Sequence, residues 1–316
     1  MSFLKLLDLK QDLLGQERFI GCWLRRQNDE TFIVDPGPEA SAADLLGQLK
    51  AAGVEDLDYI LLTHIHLDHA GGTASICAAY PGARVVCHSG AVPHLVDPTR
   101  LWEGSVNVLG EMAARYEKPG AVPEDSFATT SEVAAVGIRV LQTPGHAAHH
   151  CCYLHGDTLF AGEAAGTFLS LGDGRFYLRP ATPPAFFFDQ AKLSLTTLLN
   201  LEPEPFRLAF GHHGASEGNV HELLKVARDQ LERWMKVARE EGGRGAPTFD
   251  ELLQQTRRRL QIEDPYFAPL ADLEADARER EKTFTAQSLR GMFGYIDAEI
   301  YGARSHQARV SGDGGD

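Results

Sequence analysis

Thr63-His-Ile-His-Leu-Asp-His-Ala-Gly-Gly72 holds four side chains of metal-ligand type in six residues, His64 to His69. The run before it, Asp58-Tyr-Ile-Leu-Leu-Thr63, predicts a buried strand. His64 and His66, two apart at its end, can then point to one side. Asp68 and His69 follow where the chain turns into a helix and can aim at a neighbouring point. Four such groups could hold two divalent metals, given further ligands from elsewhere. Three later stretches offer them, each a glycine-containing turn after a plausible strand: Thr143-Pro-Gly-His146, Phe160-Ala-Gly-Glu163 and Phe210-Gly-His212. Twelve of the 13 histidines lie between His64 and His221. A lone histidine is usually structural, but this spacing points to metal.

Working outward, the first two-thirds alternates strand-like and helical patterns. Thr31-Phe-Ile-Val-Asp-Pro-Gly37 reads as a strand ending in a turn. Ser41 and Asp44 suggest a capping box before Ala42, Leu45, Leu46 and Leu49. A short helix is expected after Gly72, stopped near Pro81, with strands at Arg84–Cys87, Ile138–Leu141 and Cys152–Leu154. This alternation predicts an α/β layered domain. Two stretches without clear periodicity, 89–131 and 167–189, suggest binding loops. Beyond about Ser216 the pattern is helical: Val220, Leu223, Leu224, Ala227, Leu231, Trp234 and Ala238 mark one face. Thr248 with Glu251 suggests a cap, Asp264-Pro265 a helix entry, and Leu289, Met292, Phe293, Ile296 and Ile300 a last helix.

Composition narrows the function. The 316 residues carry a formal charge of −14, and residues 1–215 hold 15 basic against 25 acidic side chains. Such a surface disfavours nucleic acid and anionic membranes. No apolar run approaches the roughly 18 residues that span a bilayer. The N-terminus lacks an export pattern, and five cysteines with no repeat spacing read as reduced thiols, so a cytoplasmic location is expected. Small-molecule chemistry is the expectation, with no nucleic-acid or membrane partner. Long amphipathic helices raise the expectation of a homodimer.

Over about residues 15–216 the chain resembles the metallo-β-lactamase-fold superfamily, whose signature is H-x-H-x-D-H followed by His, an acidic residue and His. The resemblance implies an αββα sandwich, placed over 1–216; the helical pattern beyond it is read as an extension over 217–303, and the Gly-rich end as a disordered tail over 304–316. It implies that His64, His66 and His146 bind a first metal and Asp68, His69 and His212 a second. Glu163 stands where the family has a bridging aspartate, one methylene longer. Zinc is the default, with iron or manganese as competitors. The implied chemistry is hydrolysis by a metal-bridging hydroxide, with Asp68 orienting the water and taking its proton. The pattern is most similar to the glyoxalase II-like branch, acting on a small thioester, ester or lactone. The alternatives are an iron-dependent oxidoreductase of the same fold, persulfide dioxygenase-like or diiron, and a degenerate metal-binding protein.

Around this set, Asp35 resembles an aspartate that buttresses a ligand imidazole. His149, His150 and His213 read as structural or pocket-lining, and His88, His94 and His155 carry no pattern. Leu101, Trp102, Met112 and Tyr116, with the run Phe176-Tyr177-Leu178-Arg179 to Phe186–Phe188, suggest an apolar rim in which Arg179 could clamp a carboxylate or phosphate. Cys151-Cys152 predicts buried thiols on opposite strand faces, and Arg257–Arg259 a solvated helix face.

Overall fold

Strand alternation builds the molecule. A computed structural model describes residues 3–11, 18–27, 30–212 and 214–311, with side chains as far as residue 299. The first sheet runs β1 (Phe3–Asp8), β2 (Gly21–Gln27), β3 (Glu30–Val34), β4 (Tyr59–Leu61), β5 (Arg84–Val86). Its first three strands pair antiparallel, and β3, β4 and β5 pair parallel. The second comprises β6 (Ile138–Gln142), β7 (Cys151–His155), β8 (Thr158–Gly162), β11 (Arg207–Phe210) and β12 (Ala215–Glu217), in order β12-β11-β8-β7-β6. Between β8 and β11 lies the hairpin β9 (Thr167–Gly172) and β10 (Arg175–Arg179).

Each inner strand buries both faces. In β3, Phe32 and Val34 meet β7's Cys151 and Tyr153, β8's Phe160 and β11's Ala209 between the sheets. Ile33, with Cys22, Leu24 and Ile60, points the other way, into a core with α1 (Ala42–Ala51) and α3 (Thr73–Ala79). Cys152, Leu159 and Leu208 likewise face the helices over the second sheet. That is the expected αββα sandwich. A strand covered on both faces reads as a continuous apolar run, which is why periodicity alone could not orient these strands. Cys151 and Cys152 occupy opposite layers as buried free thiols.

The 89–131 stretch is not a loop. It holds α4 (Val92–Val96), α5 (Thr99–Leu109), α6 (Glu111–Tyr116) and the start of α7 (Thr130–Ala135), after α2 (Leu67–Ala70). The 167–189 stretch holds the β9–β10 hairpin and the entry to α8 (Phe188–Leu199). Ser41 makes no cap: it ends a 3-10 turn, and its hydroxyl donates to the Pro38 carbonyl.

The extension is α9 (Val220–Arg244), α10 (Phe249–Glu263) and α11 (Ala275–Ser311). Thr248 caps α10, its Oγ1 accepting from the Glu251 amide at 3.2 Å. Asp264 closes α10 rather than opening a helix. Its buried carboxylate accepts from Gln230 Nε2 at 2.8 Å and Trp234 Nε1 at 2.6 Å, pinning α10 to α9. The apolar face of α9 is buried within this chain, so the stripe that suggested a dimer already has a partner. Arg259 is not simply solvated: it pairs with Glu240, Glu241 and Glu263. Helical backbone continues to Ser311, eight residues into the expected tail, where Arg304, Gln307 and Ala308 are residue types that favour helix. Residues 312–316, His213 and the side chain of Ile300 lie outside the described residues. No described helix is long and apolar enough to cross a membrane.

Candidate metal centre

Strand ends assemble the site along one edge of the sandwich. Asp35 follows β3, His64 and His66 follow β4, and Asp68 and His69 lie on the short α2. His146 lies between β6 and β7, Glu163 follows β8, and His212 follows β11. The parallel pairs β3–β4 and β8–β11 bring like ends together. Gly162 has a φ of +52° as the chain leaves β8, and a Cβ there would stand 2.5 Å from His150 Nε2 and 2.7 Å from the Thr63 Cβ. Glycine is what lets these strand ends close up.

Seven side chains converge. His64, His66, His146 and Glu163 form one group that could hold a metal ion, and Asp68, His69 and His212 another. His66 Nδ1 lies 3.0 Å from His64 Nε2 and 3.1 Å from His146 Nε2. Glu163 reaches both groups, with Oε2 2.9 Å from His146 Nε2 and Oε1 3.2 Å from His212 Nε2. Asp68 Oδ2 is 3.7 Å from His69 Nε2 and 3.9 Å from His212 Nε2.

The partners behind the rings settle which nitrogens face inward with a lone pair. His146 Nδ1 donates to the Ala181 carbonyl at 3.0 Å, since a carbonyl can only accept. His69 Nδ1 donates at 3.0 Å to Asp35 Oδ2. The Thr63 hydroxyl gives its proton to the same oxygen at 2.7 Å, so it accepts from His64 Nδ1 at 3.0 Å. The Nε2 atoms of His64, His69 and His146 are therefore turned into the centre. His69 Nε2 is buried without a hydrogen-bond partner. Lone pairs and a buried carboxylate facing one another repel unless a cation or protons lie between them. The donor set fits divalent metal, with the imidazoles of His64, His69 and His146 oriented from behind as ligating histidines usually are.

Protonation follows the same logic. Burial, then the neighbouring His69, His66 and His146, hold His64 well below the usual histidine range. Burial, then His146, pushes His66 down to about 3. Both are neutral at pH 7, as ligands must be. For His69, burial opposes charge, but Asp68, Asp35 and Glu163 together raise it well above the ordinary value. Glu163 is held well below the carboxylate range; burial opposes this, and His146 and His212 outweigh it. In the metal-free chain a proton on His69 occupies the role of a cation.

The outer residues divide. Asp35 buttresses His69 and also accepts the Thr63 amide at 2.8 Å. His150 stacks on the His64 ring at 5.4 Å but offers no nitrogen to either metal group: its Nδ1 meets Thr143 Oγ1 at 2.8 Å and its Nε2 accepts the Glu163 amide at 3.2 Å. It orders the turn that presents Glu163. His149 Nε2 accepts the Ile65 amide. Arg179 is neither a free clamp nor a surface ion pair. It is buried, with Nε 2.6 Å from Glu281 Oε2 and further bonds to Pro180, Ser288 and Thr167. The Tyr177 hydroxyl donates to the same Glu281 oxygen at 2.8 Å, so it too serves the α11 interface. The expected rim is corrected as well. Phe186 and Phe188 pack into the helix-facing core, and Trp102 and Met112 pack against the core of the first sheet. Leu101 does line the cleft, which is about 630 Å³, with Phe284 of α11.

Sequence reading missed Thr63, Thr143 and Phe19. Phe19 stacks on the His212 ring at 3.9 Å and packs on Phe284 at 5.0 Å. Thr63 opens the histidine stretch and was legible as a neighbour only; Phe19 carries no local signal.

A two-sheet sandwich with histidine–carboxylate groups at one edge defines a class of metal-binding α/β fold. Residues 16–233 match the metallo-beta-lactamase superfamily, and the chain belongs to that family. It is 30% identical over 201 residues to the metallo-beta-lactamase fold-containing protein ST1585 of Sulfurisphaera tokodaii, covering 61% of this chain and 72% of that one. It is 32% identical over 229 residues to a hydroxyacylglutathione hydrolase of Acidiphilium cryptum, covering 72% and 78%. The solved structure of an archaeal superfamily protein, ST1585 from Sulfolobus tokodaii, superposes with a TM-score of 0.66 at 22% identity, over 92% of this chain and 98% of that one. A family protein from Thermus thermophilus gives 0.60 at 20% identity, over 94% and 93%. These two likenesses speak for the fold.

Proposed function

We propose that this chain is a binuclear metal-dependent hydrolase of an acyl thioester, ester or lactone. The observation that carries the reading is the inward convergence of His64, His69 and His146 Nε2 on Glu163 Oε2, at 3.5, 3.5 and 2.9 Å, with His212 Nε2 3.2 Å from Oε1. His64, His66 and His146 would hold one cation and Asp68, His69 and His212 the other, with Glu163 a carboxylate available to both groups. The extra methylene of glutamate suits this: its two oxygens already face the two groups. Imidazole and carboxylate suit zinc, and also iron or manganese. Divalent cations there supply ionisation of a water near neutral pH and polarisation of the acyl carbonyl. Asp68 is the more exposed of the two ligand-type carboxylates that line the cleft, at 15% against 8% for the Glu163 side chain, and is placed to take a proton from the attacking water. Relatives named hydroxyacylglutathione hydrolase support thioester cleavage as the first chemistry to test.

The test joins metal content with turnover. Protein purified without chelator is analysed for metal and screened on thioesters, esters and lactones beside His66→Ala. Two equivalents per chain are expected, with loss of about one in the variant and of the order of 100-fold in kcat/KM. Parent-like hydrolysis by metal-replete H66A would overturn the reading.

A further inference from the structure

The cleft over the candidate centre has a chemistry of its own. Its volume of about 630 Å³ is that of a small-molecule site. One wall is α5, which contributes Leu101, Gly104, Ser105 and Val108. Their spacing of three, four and seven puts them on one helical stripe. α5 has no fully buried residue, and Val108 is 62% exposed. Single exposed aliphatics are ordinary. Here, however, the stripe faces a cavity whose lining also includes Asp68, His146 and Glu163. Pro183 and Phe284 extend the apolar lining.

We infer that this cleft binds an unbranched apolar acyl chain laid along α5, with its carboxyl carbon at the candidate metal centre. The inference rests on the hydrolase reading above and names the acyl group that reading leaves open. From Leu101 to Val108 the helix rises about 10 Å, the length of roughly eight methylenes in an extended chain. An octanoyl-sized group therefore matches the stripe. Each methylene buried there tightens binding roughly fourfold (about 0.8 kcal/mol). Gly104 is the gauge of the groove. A Cβ built there meets nothing within 4 Å, so a large side chain fits the helix and fills the space the acyl chain needs.

The experiment measures binding of straight-chain carboxylates, acetate to decanoate, to the as-purified protein by calorimetry. The shared carboxylate cancels the head-group contact, so the octanoate-to-acetate ratio reports the groove alone. The expected ratio is about 100-fold or more, falling tenfold or more in Gly104→Phe and in Val108→Asp. G104F replaces a helical glycine and should melt no lower than the parent, which separates a filled groove from a misfolded one. A ratio within threefold, or one that both variants leave unchanged, overturns the inference. A second arm follows kcat/KM over acetyl to decanoyl thioesters with one leaving group. A rise with chain length that matches binding supports the inference, and a flat profile overturns it. A steep binding series with no turnover of any acyl substrate supports the apolar groove and overturns the hydrolase reading instead.

Discussion

Replacing Asp35 by asparagine changes one oxygen into an amide and should weaken one half of the centre. Asp35 Oδ1 accepts the Thr63 amide at 2.8 Å, and an asparagine oxygen keeps that bond. At the Oδ2 position two donors arrive, the Thr63 hydroxyl at 2.7 Å and His69 Nδ1 at 3.0 Å. An amide nitrogen cannot accept from either. The hydroxyl can rotate and accept instead. His69 can accept only by moving its proton to Nε2, the atom that faces the centre. Each lost bond to the carboxylate is worth about 1.5–3 kcal/mol. Removing such a partner from behind a ligating histidine typically lowers metal affinity about 10–100-fold, or about 1.4–2.7 kcal/mol. The backbone does not confound the test, because φ at position 35 is +55° and asparagine tolerates that region. Chelator competition should find one site weakened 10–100-fold and the site of His64, His66 and His146 within a few-fold of the parent. Parent-like affinity at both sites would refute the assignment of the His69 tautomer.

Arg179→Ala should cost up to about 3–5 kcal/mol in denaturant unfolding, because Glu281 is left charged and buried with only Arg280, 3.4 Å away, as a cationic partner; the double change R179M/E281L should recover part of it. Gly162→Ala should cost about 2–5 kcal/mol, from a left-handed backbone and a Cβ driven into His150 and Thr63, and should lower metal content by displacing Glu163. Stability of the chelated protein should fall as pH drops below about 6.5. Burial foremost keeps His64 and His150 well below their ordinary value, His66 at about 3 and His149 at about 4. The unfolded chain then takes up protons that the folded one refuses, at about 1.4 kcal/mol per pH unit for each group. His69, raised, works in the opposite sense: its contribution is present at low pH and lost as pH rises through its folded value. Thermal melts that are flat from pH 7 to pH 4 would contradict this balance.

The histidine stretch and its three later partners were legible because metal binding demands particular atoms at particular turns, and those residues carry the demand locally. His64, His66, Asp68 and His69 share one strand end and one helical turn, so spacing alone put them together. The layered α/β architecture was legible for a similar reason, since alternation of strand and helix is written into the chain. Other features were not. The 89–131 stretch folded into helices whose apolar residues face both core and cleft, which blurs their period. Asp264 read as a helix entry, yet its partners, Gln230 and Trp234, lie 34 and 30 residues earlier.

By itself, then, the sequence determined the candidate ligands, an α/β layered domain and the helical extension through local spacing, and the sandwich through its resemblance to a known family. Tertiary structure alone decided what stands behind the ligands. It gave Asp35 to His69, turned His150 toward the amide of Glu163, and tied the guanidinium of Arg179, at the cleft wall, to Glu281. It also laid α5 and Phe284 along one cavity. A side chain's partner depends on which strand ends and helices meet in space, and contacts across 34 or 102 residues leave no trace in local pattern.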